Sequence, residues 1–299
     1  LALCVADVWF ESMLNTMLSV LNIRREIKTY SVFVLLLYGL KLASLFVIMV
    51  VSNHSIIMIA GLRAFISGIV LIIVYYSSNI NFRIMSLENN FETLILTLPF
   101  NISEILSIIY MQADVNLLTL LQGKIAAGVY APALSGIVAL FVFPSSVYSF
   151  AIPTLSRTFQ EKPENIKNIT PKFLFRLGMM GIIMFLIVKF FGYDVVKYLL
   201  GSEFEVTAQL VSKLSPVLFI KCLEFGLASI IVSIGKQNER LIPQVIAAIT
   251  NIGFNLWLIP LKGVFGAASV YIVSELVLLF GYNIILIKYY RGKSNGENK

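Results

Sequence analysis

Apolar residues run along this chain in blocks of about twenty, separated by short polar clusters and without the alternation of a barrel strand. About twenty apolar residues cross the hydrocarbon core of a bilayer as a helix. On that ruler the pattern predicts nine spans: 1–21, 30–51, 55–76, 94–118, 125–150, 172–192, 206–234, 241–260 and 263–288. Pro99, Pro144 and Pro216 fall inside spans. They predict kinked helices, which a membrane bundle tolerates when neighbours satisfy the freed carbonyls.

The polar positions inside these blocks carry the most information. Lys41, Arg63, Glu104, Lys213, Lys221, Glu224 and Glu275 each lie well within a span. A charged residue at a helix centre costs roughly 2.5–3.5 kcal/mol on insertion scales. Most of these groups are therefore expected to face a polar interior or one another.

Several of them sit on polar stripes at helical spacing. The fourth span aligns Pro99, Ser103, Ser107, Tyr110 and Asp114, with Glu104 at the edge. That face is either a cavity wall with protonatable carboxylates or a seam of interhelical hydrogen bonds. The seventh aligns Gln209, Lys213, Pro216 and Glu224, and Lys221 stands three residues before Glu224, close enough to neutralise it. Lys213 has no acid one turn away, so it requires an interhelical partner, a carbonyl or an anionic ligand. Arg63 follows the small residue Ala60 and precedes Ala64 and Gly68, a close-packing face; it binds an anion or forms an internal salt bridge. Asp7, Glu11, Asn15, Ser19 and Asn22 share a stripe in the first span, Gln244, Asn251 and Asn255 in the eighth, and Tyr271, Glu275 and Tyr282 in the ninth. Together the stripes predict a shared aqueous cavity.

Composition agrees with a polytopic membrane protein: 58% of residues are hydrophobic, 13% are charged, and the mean hydropathy is +0.88. Soluble domains are about 25% charged. The net charge of +7 does not point to nucleic acid, because its distribution follows membrane topology. Arg24, Arg25, Lys28, Arg83, Arg157, Lys162, Lys167, Lys172, Arg176, Lys236, Arg240, Lys288, Arg291, Lys293 and Lys299 all fall on one set of alternate loops. The opposite loops carry Lys124, Lys197 and Lys262. By the positive-inside rule the C-terminus is cytoplasmic and the first span enters from outside. The chain opens at Leu1 in the middle of an apolar run, and so reads as a fragment lacking its true N-terminus. Cys4 and Cys222 both lie in spans and indicate neither a disulfide nor a metal site. His54, the single histidine, sits in a short outside turn. No HExxH, GxSxG, P-loop or GxGxxG occurs. An enzyme is not expected, and no metal or cofactor is called for.

Specific motifs populate the second half. Asp114 is followed by Gly128-Val129-Tyr130, Pro144 and Ile152-Pro153-Thr154-Leu155-Ser156-Arg157, then Leu200-Gly201-Ser202-Glu203-Phe204. The last and most specific motif runs from Asn251-Ile252-Gly253-Phe254-Asn255 through Leu256-Trp257-Leu258-Ile259-Pro260 to Gly266-Ala267-Ala268. This order resembles the polysaccharide biosynthesis flippases, the O-antigen and other repeat-unit transporters of the multidrug/oligosaccharidyl-lipid/polysaccharide exporter superfamily. The likeness covers roughly residues 94–291. Where that family often places a basic residue after the aspartate, this chain has Val115, which removes that Asp–Arg pairing.

The resemblance implies an all-α fold of about nine transmembrane helices, matching helices four to twelve of a two-lobed, twelve-helix transporter. Residues 1–93 would be the remnant of the N-terminal lobe, 94–291 the complete C-terminal six-helix lobe, and 292–299 a disordered cytoplasmic tail. It further implies translocation of an undecaprenyl-pyrophosphate-linked oligosaccharide across the bacterial inner membrane by alternating access. The partners would be that lipid-linked oligosaccharide, the phospholipid bilayer and the polysaccharide polymerase machinery. Lys41, Arg63, Gln209, Lys213, Lys221, Asn251 and Asn255 are the expected substrate-path residues, and Glu104, Asp114, Glu224 and Glu275 the expected ion-coupling carboxylates. A cation-coupled multidrug exporter of the same superfamily and a membrane enzyme of polysaccharide assembly are the alternatives.

Overall fold

In lipid, every backbone amide must be satisfied within its own segment or by a closed barrel. The chain meets that demand with helices. The computed structural model describes residues 2–24, 26–51, 56–78, 87–162 and 166–296, and among them no strand occurs. Arg25, the turn holding His54, Arg83, Pro163, Glu164 and Lys299 lie outside the described residues.

Among the described residues ten α-helices follow in order: α1 (Ala2–Ile23), α2 (Ile27–Val51), α3 (Ile56–Ser77), α4 (Leu87–Gln122), α5 (Lys124–Ala139), α6 (Val142–Glu161), α7 (Ile166–Leu200), α8 (Glu205–Leu214), α9 (Pro216–Ser233) and α10 (Leu241–Gly296). Among the described residues, six helical stretches are long and apolar enough to cross a membrane: Ile57–Ser77, Asn101–Gln122, Lys124–Glu161, Lys167–Leu200, Pro216–Ser233 and Gln237–Gly292. The protein is an all-helical, multi-pass membrane protein.

Two compact units divide the chain, Leu1–Ser86 and Leu87–Lys299. In the first, α1, α2 and α3 close on a core of Leu14, Leu21, Leu37, Val70 and Val74. The second holds α4 to α10 around two apolar clusters, one centred on Tyr130, Leu214 and Tyr271, the other on Leu227, Ile231 and Leu286.

Irregularities in the helices follow from identifiable residues. The run 206–234 is two helices, broken at Ser215, with Pro216 as the first residue of α9. Proline is tolerated there because its missing N–H would have had no intrahelical partner. The run 125–150 is likewise two helices, separated at Leu140 and Phe141. Pro144 falls in the first turn of α6, where its missing N–H is tolerated, and α6 passes through Pro153 to Glu161. Hydroxyls adjoining Pro153 bond nearby carbonyls: Thr154 Oγ1 donates to the Phe150 carbonyl (3.1 Å) and Ser149 Oγ to that of Ser145 (3.0 Å).

α10 is two limbs, 241–262 and 264–296, joined at Gly263, whose φ of 57° lies in the left-handed region. Close to this kink, the carbonyl of Ile259 accepts from Gln122 Nε2 of α4 at 2.9 Å. A Cβ at Gly266 would stand 2.5 Å from the Leu258 carbonyl oxygen, so the turn closes only around a bare backbone. The second limb continues to Gly296, into the segment that the sequence assigns to a disordered tail.

Lipid tails are as apolar as the helices, so close packing replaces hydrophobic burial as the force between them. The α7–α9 contact shows how. A Cβ at Gly181 would lie 2.9 Å from the Phe219 Cα, and one at Gly226 would lie 2.6 Å from a Leu177 methyl. The opposite face of α7 turns Phe175, Ile183, Ile187 and Phe190 outward.

Gly181→Val is expected to destabilise the bundle by about 1–3 kcal/mol, because backbone and not a flexible side chain must move. Gly253→Ala, where nothing lies within 4 Å, is expected to leave stability unchanged. Thermal melting of both variants in detergent checks the contrast.

Candidate functional site

Three buried polar clusters collect nearly all the charged residues that the spans carry. The first belongs to the N-terminal unit. Asp7 of α1 accepts from Lys41 Nζ of α2 (3.1 Å), and from Arg63 Nε (3.2 Å) and Ser67 Oγ (2.6 Å) of α3. One turn along α1, Glu11 accepts from the same Lys41 at 2.9 Å and from the Tyr38 hydroxyl at 3.3 Å. Two acids meet two bases, so the cluster is neutral as a unit. It also ties both α2 and α3 to α1.

Lys41 is buried by this pairing, at 6% exposure. Arg63 is not: its side chain remains 43% exposed. Only its Nε is engaged, and among the described residues its terminal amino groups meet no acceptor. A guanidinium held at its inner nitrogen and free at its outer edge is arranged to take a planar or tetrahedral anion.

The second cluster lies in the larger unit and contains no cation. Asp114 of α4 is fully buried. It accepts from the Tyr130 hydroxyl of α5 at 2.8 Å, and from the Asn251 and Asn255 amides of α10 at 2.9 and 2.6 Å. Asn255 also donates to Asn251 Oδ1 at 3.1 Å. Four turns of three helices are thereby locked around one carboxylate. Sequence spacing placed Asn251 and Asn255 on one face but did not indicate that Asp114 takes both amides. Tyr130, named only within a motif, is the third donor.

One turn down α4 lies the third cluster. Lys221 Nζ of α9 contacts Glu224 Oε2 at 2.8 Å, Glu275 Oε2 of α10 at 2.6 Å, and the Tyr110 hydroxyl of α4 at 3.0 Å. The ammonium also lies 5.5 Å from the Tyr110 ring centroid and 5.8 Å from that of Phe141. The i,i+3 pairing with Glu224 was legible in the sequence, whereas the cross-helix contact with Glu275 was not. Lys221 is 6% exposed, Glu224 3% and Glu275 0%.

The remaining expected site residues lie apart. Lys213 donates to the Phe265 carbonyl at 2.9 Å with the Phe265 ring below it at 5.5 Å, so a carbonyl supplies the partner its own helix lacks. Gln209 and Glu104 are exposed and join none of the three clusters.

Removing one member of a buried ion pair costs about 3–5 kcal/mol, because the partner is left charged and unpaired. Lys221→Met, which strands two glutamates, is expected to fall in that range. Replacing Lys221, Glu224 and Glu275 together by Met, Leu and Leu is expected to restore most of the loss. Thermal melting of the single and triple variants checks both.

No family model matches the chain. The capsular polysaccharide biosynthesis protein CapF of Staphylococcus aureus is 25% identical over 192 residues, which make up 64% of this chain and 48% of CapF. The chain thus spans about half the length of the curated relative it matches. Among solved structures, the inward closed conformation of the lipid II flippase MurJ superposes with a TM-score of 0.73 at 12% identity, over 94% of this chain and 60% of MurJ. An outward-facing multidrug resistance transporter of the MATE family in the MOP superfamily gives a TM-score of 0.69 at 14% identity, over 89% of this chain and 63% of that one. The fold of this chain is that of a large part of a MATE or MurJ transporter.

Proposed function

We propose that the protein is a flippase, moving an undecaprenyl-pyrophosphate-linked oligosaccharide, the repeat unit of a surface polysaccharide such as O-antigen, across the bacterial inner membrane by alternating access, with its C-terminus in the cytoplasm. The observation that carries this reading is Arg63. It is a mid-span guanidinium anchored through Nε by Asp7, with its outer edge exposed and without a protein acceptor among the described residues. A charge kept in that state within a membrane span has a functional reason, and a diphosphate is the anion such a fork accepts. The likeness to a capsular polysaccharide protein and to the fold of a lipid II flippase supports the lipid-linked cargo.

In this reading Lys213, half-buried and bonded to the Phe265 carbonyl, is a second anion contact. Lys41 acts through Arg63, by sharing the Asp7 carboxylate. Glu224, Glu275 and Asp114 are the carboxylates that couple transport to an ion gradient. The polysaccharide polymerase machinery is the expected receiver of the product.

The rival reading is a cation-coupled multidrug exporter. Its support is the MATE likeness and the excess of acids over bases in the buried clusters of the second unit.

Complementation separates the two. The complete gene product, expressed in a strain lacking its own repeat-unit flippase, is expected to restore surface polymer and to leave drug sensitivity unchanged. Arg63→Ala is expected to reduce polymer roughly 10–100-fold, the loss of one charge-assisted contact of about 1.5–3 kcal/mol, with normal membrane insertion. Arg63→Lys keeps the charge but not the fork and falls between. Unchanged polymer in both Arg63→Ala and Lys213→Ala overturns the anion path, and drug resistance without polymer selects the exporter.

A further inference from the structure

Where α7 begins and α10 ends, the second unit carries cations without counter-charges. Lys167, Lys172 and Arg176 stand in the first three turns of α7, and Lys288 and Arg291 near the end of α10. α7 holds no carboxylate before Asp194, and α10 none after Glu275. Among the described residues none of these five cations forms an ion pair, whereas Lys236 and Glu239, just before α10, answer each other at 2.7 Å. This is the end of the unit that the positive-inside rule makes cytoplasmic.

A groove of about 320 Å³ lies between the two helices at this end, lined by Lys167, Thr170, Pro171 and Leu174 of α7 and Tyr290 of α10. Lys167, Pro171 and Leu174 follow at i, i+4 and i+7 on one face of α7. The long apolar run of α7 starts at Phe173. The groove therefore opens at a cation on the polar side of that boundary. It ends against an aliphatic side chain roughly 10 Å further along the helix.

Its wall also keeps a polar donor in reserve. The Tyr290 hydroxyl donates to Thr170 Oγ1 at 2.7 Å, a hydroxyl pair that joins α10 to α7. A threonine oxygen that accepts still has its own hydrogen to give. Thr119, Thr154 and Thr158 give theirs to the carbonyl one turn back. Thr170 makes no such bond, and among the described residues its hydrogen meets no acceptor. The residue is only 6% exposed. A buried donor without an acceptor is costly, so the groove calls for one.

Each part of the groove matches one part of an anionic glycerophospholipid. Phosphate oxygens accept from an ammonium and a hydroxyl in charge-assisted bonds, and the N-terminal end of α7 is the positive end of its dipole. An acyl chain lies naturally against Pro171 and Leu174. A zwitterionic lipid brings a cation of its own, which the five unpaired charges oppose. None of the lining residues belongs to the three polar clusters, so the groove is separate from the path read for the cargo.

We propose that this groove holds an anionic phospholipid of the cytoplasmic leaflet, its phosphate on Lys167 and Thr170 and an acyl chain against Pro171 and Leu174. Basic pockets between membrane helices on the cytoplasmic side take lipid headgroups by this chemistry. The lipid is a resident one that bridges α7 and α10, and it is not the transported molecule. The site goes beyond the flippase reading and does not depend on it.

Native mass spectrometry of the complete gene product, titrated with phosphatidylglycerol or with phosphatidylcholine of the same acyl chains, counts each bound lipid. The wild type is expected to bind one phosphatidylglycerol more tightly than any phosphatidylcholine. Lys167→Ala is expected to weaken phosphatidylglycerol about fivefold, the worth of one interfacial cation, and to leave phosphatidylcholine unchanged. Lys167 is exposed, so folding does not hang on it, and Lys167→Arg is expected to retain binding. Thr170→Val is expected to weaken phosphatidylglycerol as well. Lys124→Ala, an exposed lysine at the opposite end of the unit, is expected to change neither lipid. Equal binding of the two lipids by the wild type, unchanged phosphatidylglycerol in both Lys167→Ala and Thr170→Val, or an equal loss in Lys124→Ala overturns the site. Displacement of phosphatidylglycerol by inorganic phosphate reduces the groove to a bare anion site and overturns the lipid. Tighter binding of undecaprenyl phosphate assigns the groove to the cargo and overturns the resident lipid. None of these readouts involves transport, so their failure leaves the flippase reading to the complementation test.

Discussion

A charge inside a membrane protein has to find its counter-charge or its hydrogen-bond partners within the protein, because lipid supplies neither. The arrangement of helices in each unit follows from that requirement. Asp7, Lys41 and Arg63 come from three different helices of the N-terminal unit and meet within 3.2 Å. Lys221 and Glu275 come from separate helices of the second unit and meet at 2.6 Å. Sliding α9 by one turn against α10 would separate that pair by about 5 Å and expose two bare charges to a low-dielectric interior. Polar pairing thus sets the register that apolar packing, with lipid as a competing solvent, leaves loose.

Small residues make the pairing possible. Gly181 and Gly226 bring α7 and α9 close enough for backbone contact, and this steadies the helix carrying Lys221 and Glu224. Gly263 turns α10 back on itself, so that Asn251 and Asn255 on one limb reach Asp114 of α4 while Glu275 on the other reaches Lys221 of α9. α4 is the shared partner: Tyr110 and Asp114, four residues apart, belong to the two neighbouring clusters. The clusters also differ in chemistry. The N-terminal one is charge-balanced and keeps a guanidinium edge outward, whereas those of the second unit carry an excess of acid and are buried.

The length of the apolar runs and the four-residue spacing of the polar stripes made the helices and their polar faces legible, since both depend only on the 1.5 Å rise and the 3.6-residue period. The i,i+3 approach of Lys221 to Glu224 was legible for the same reason. Breaks within runs were legible only in part. Pro216 announced one, and Pro144, which cannot donate to the Leu140 carbonyl and sits in the first turn of α6, announced the separation of α5 from α6. Pro153, a strong local breaker, is absorbed into α6.

The sequence by itself determined that this is a helical membrane protein, which residues are costly in lipid, and which of them share a helix face. Those are one-dimensional properties of hydropathy and period. Only the tertiary structure decided which charge answers which: that Arg63 keeps a free edge while Lys41 is consumed, that Asp114 takes the Asn251 and Asn255 amides, and that Lys221 faces two glutamates at once. Those pairings span from tens of residues to more than a hundred. They depend on how helices turn and cross, which a period within one helix does not encode.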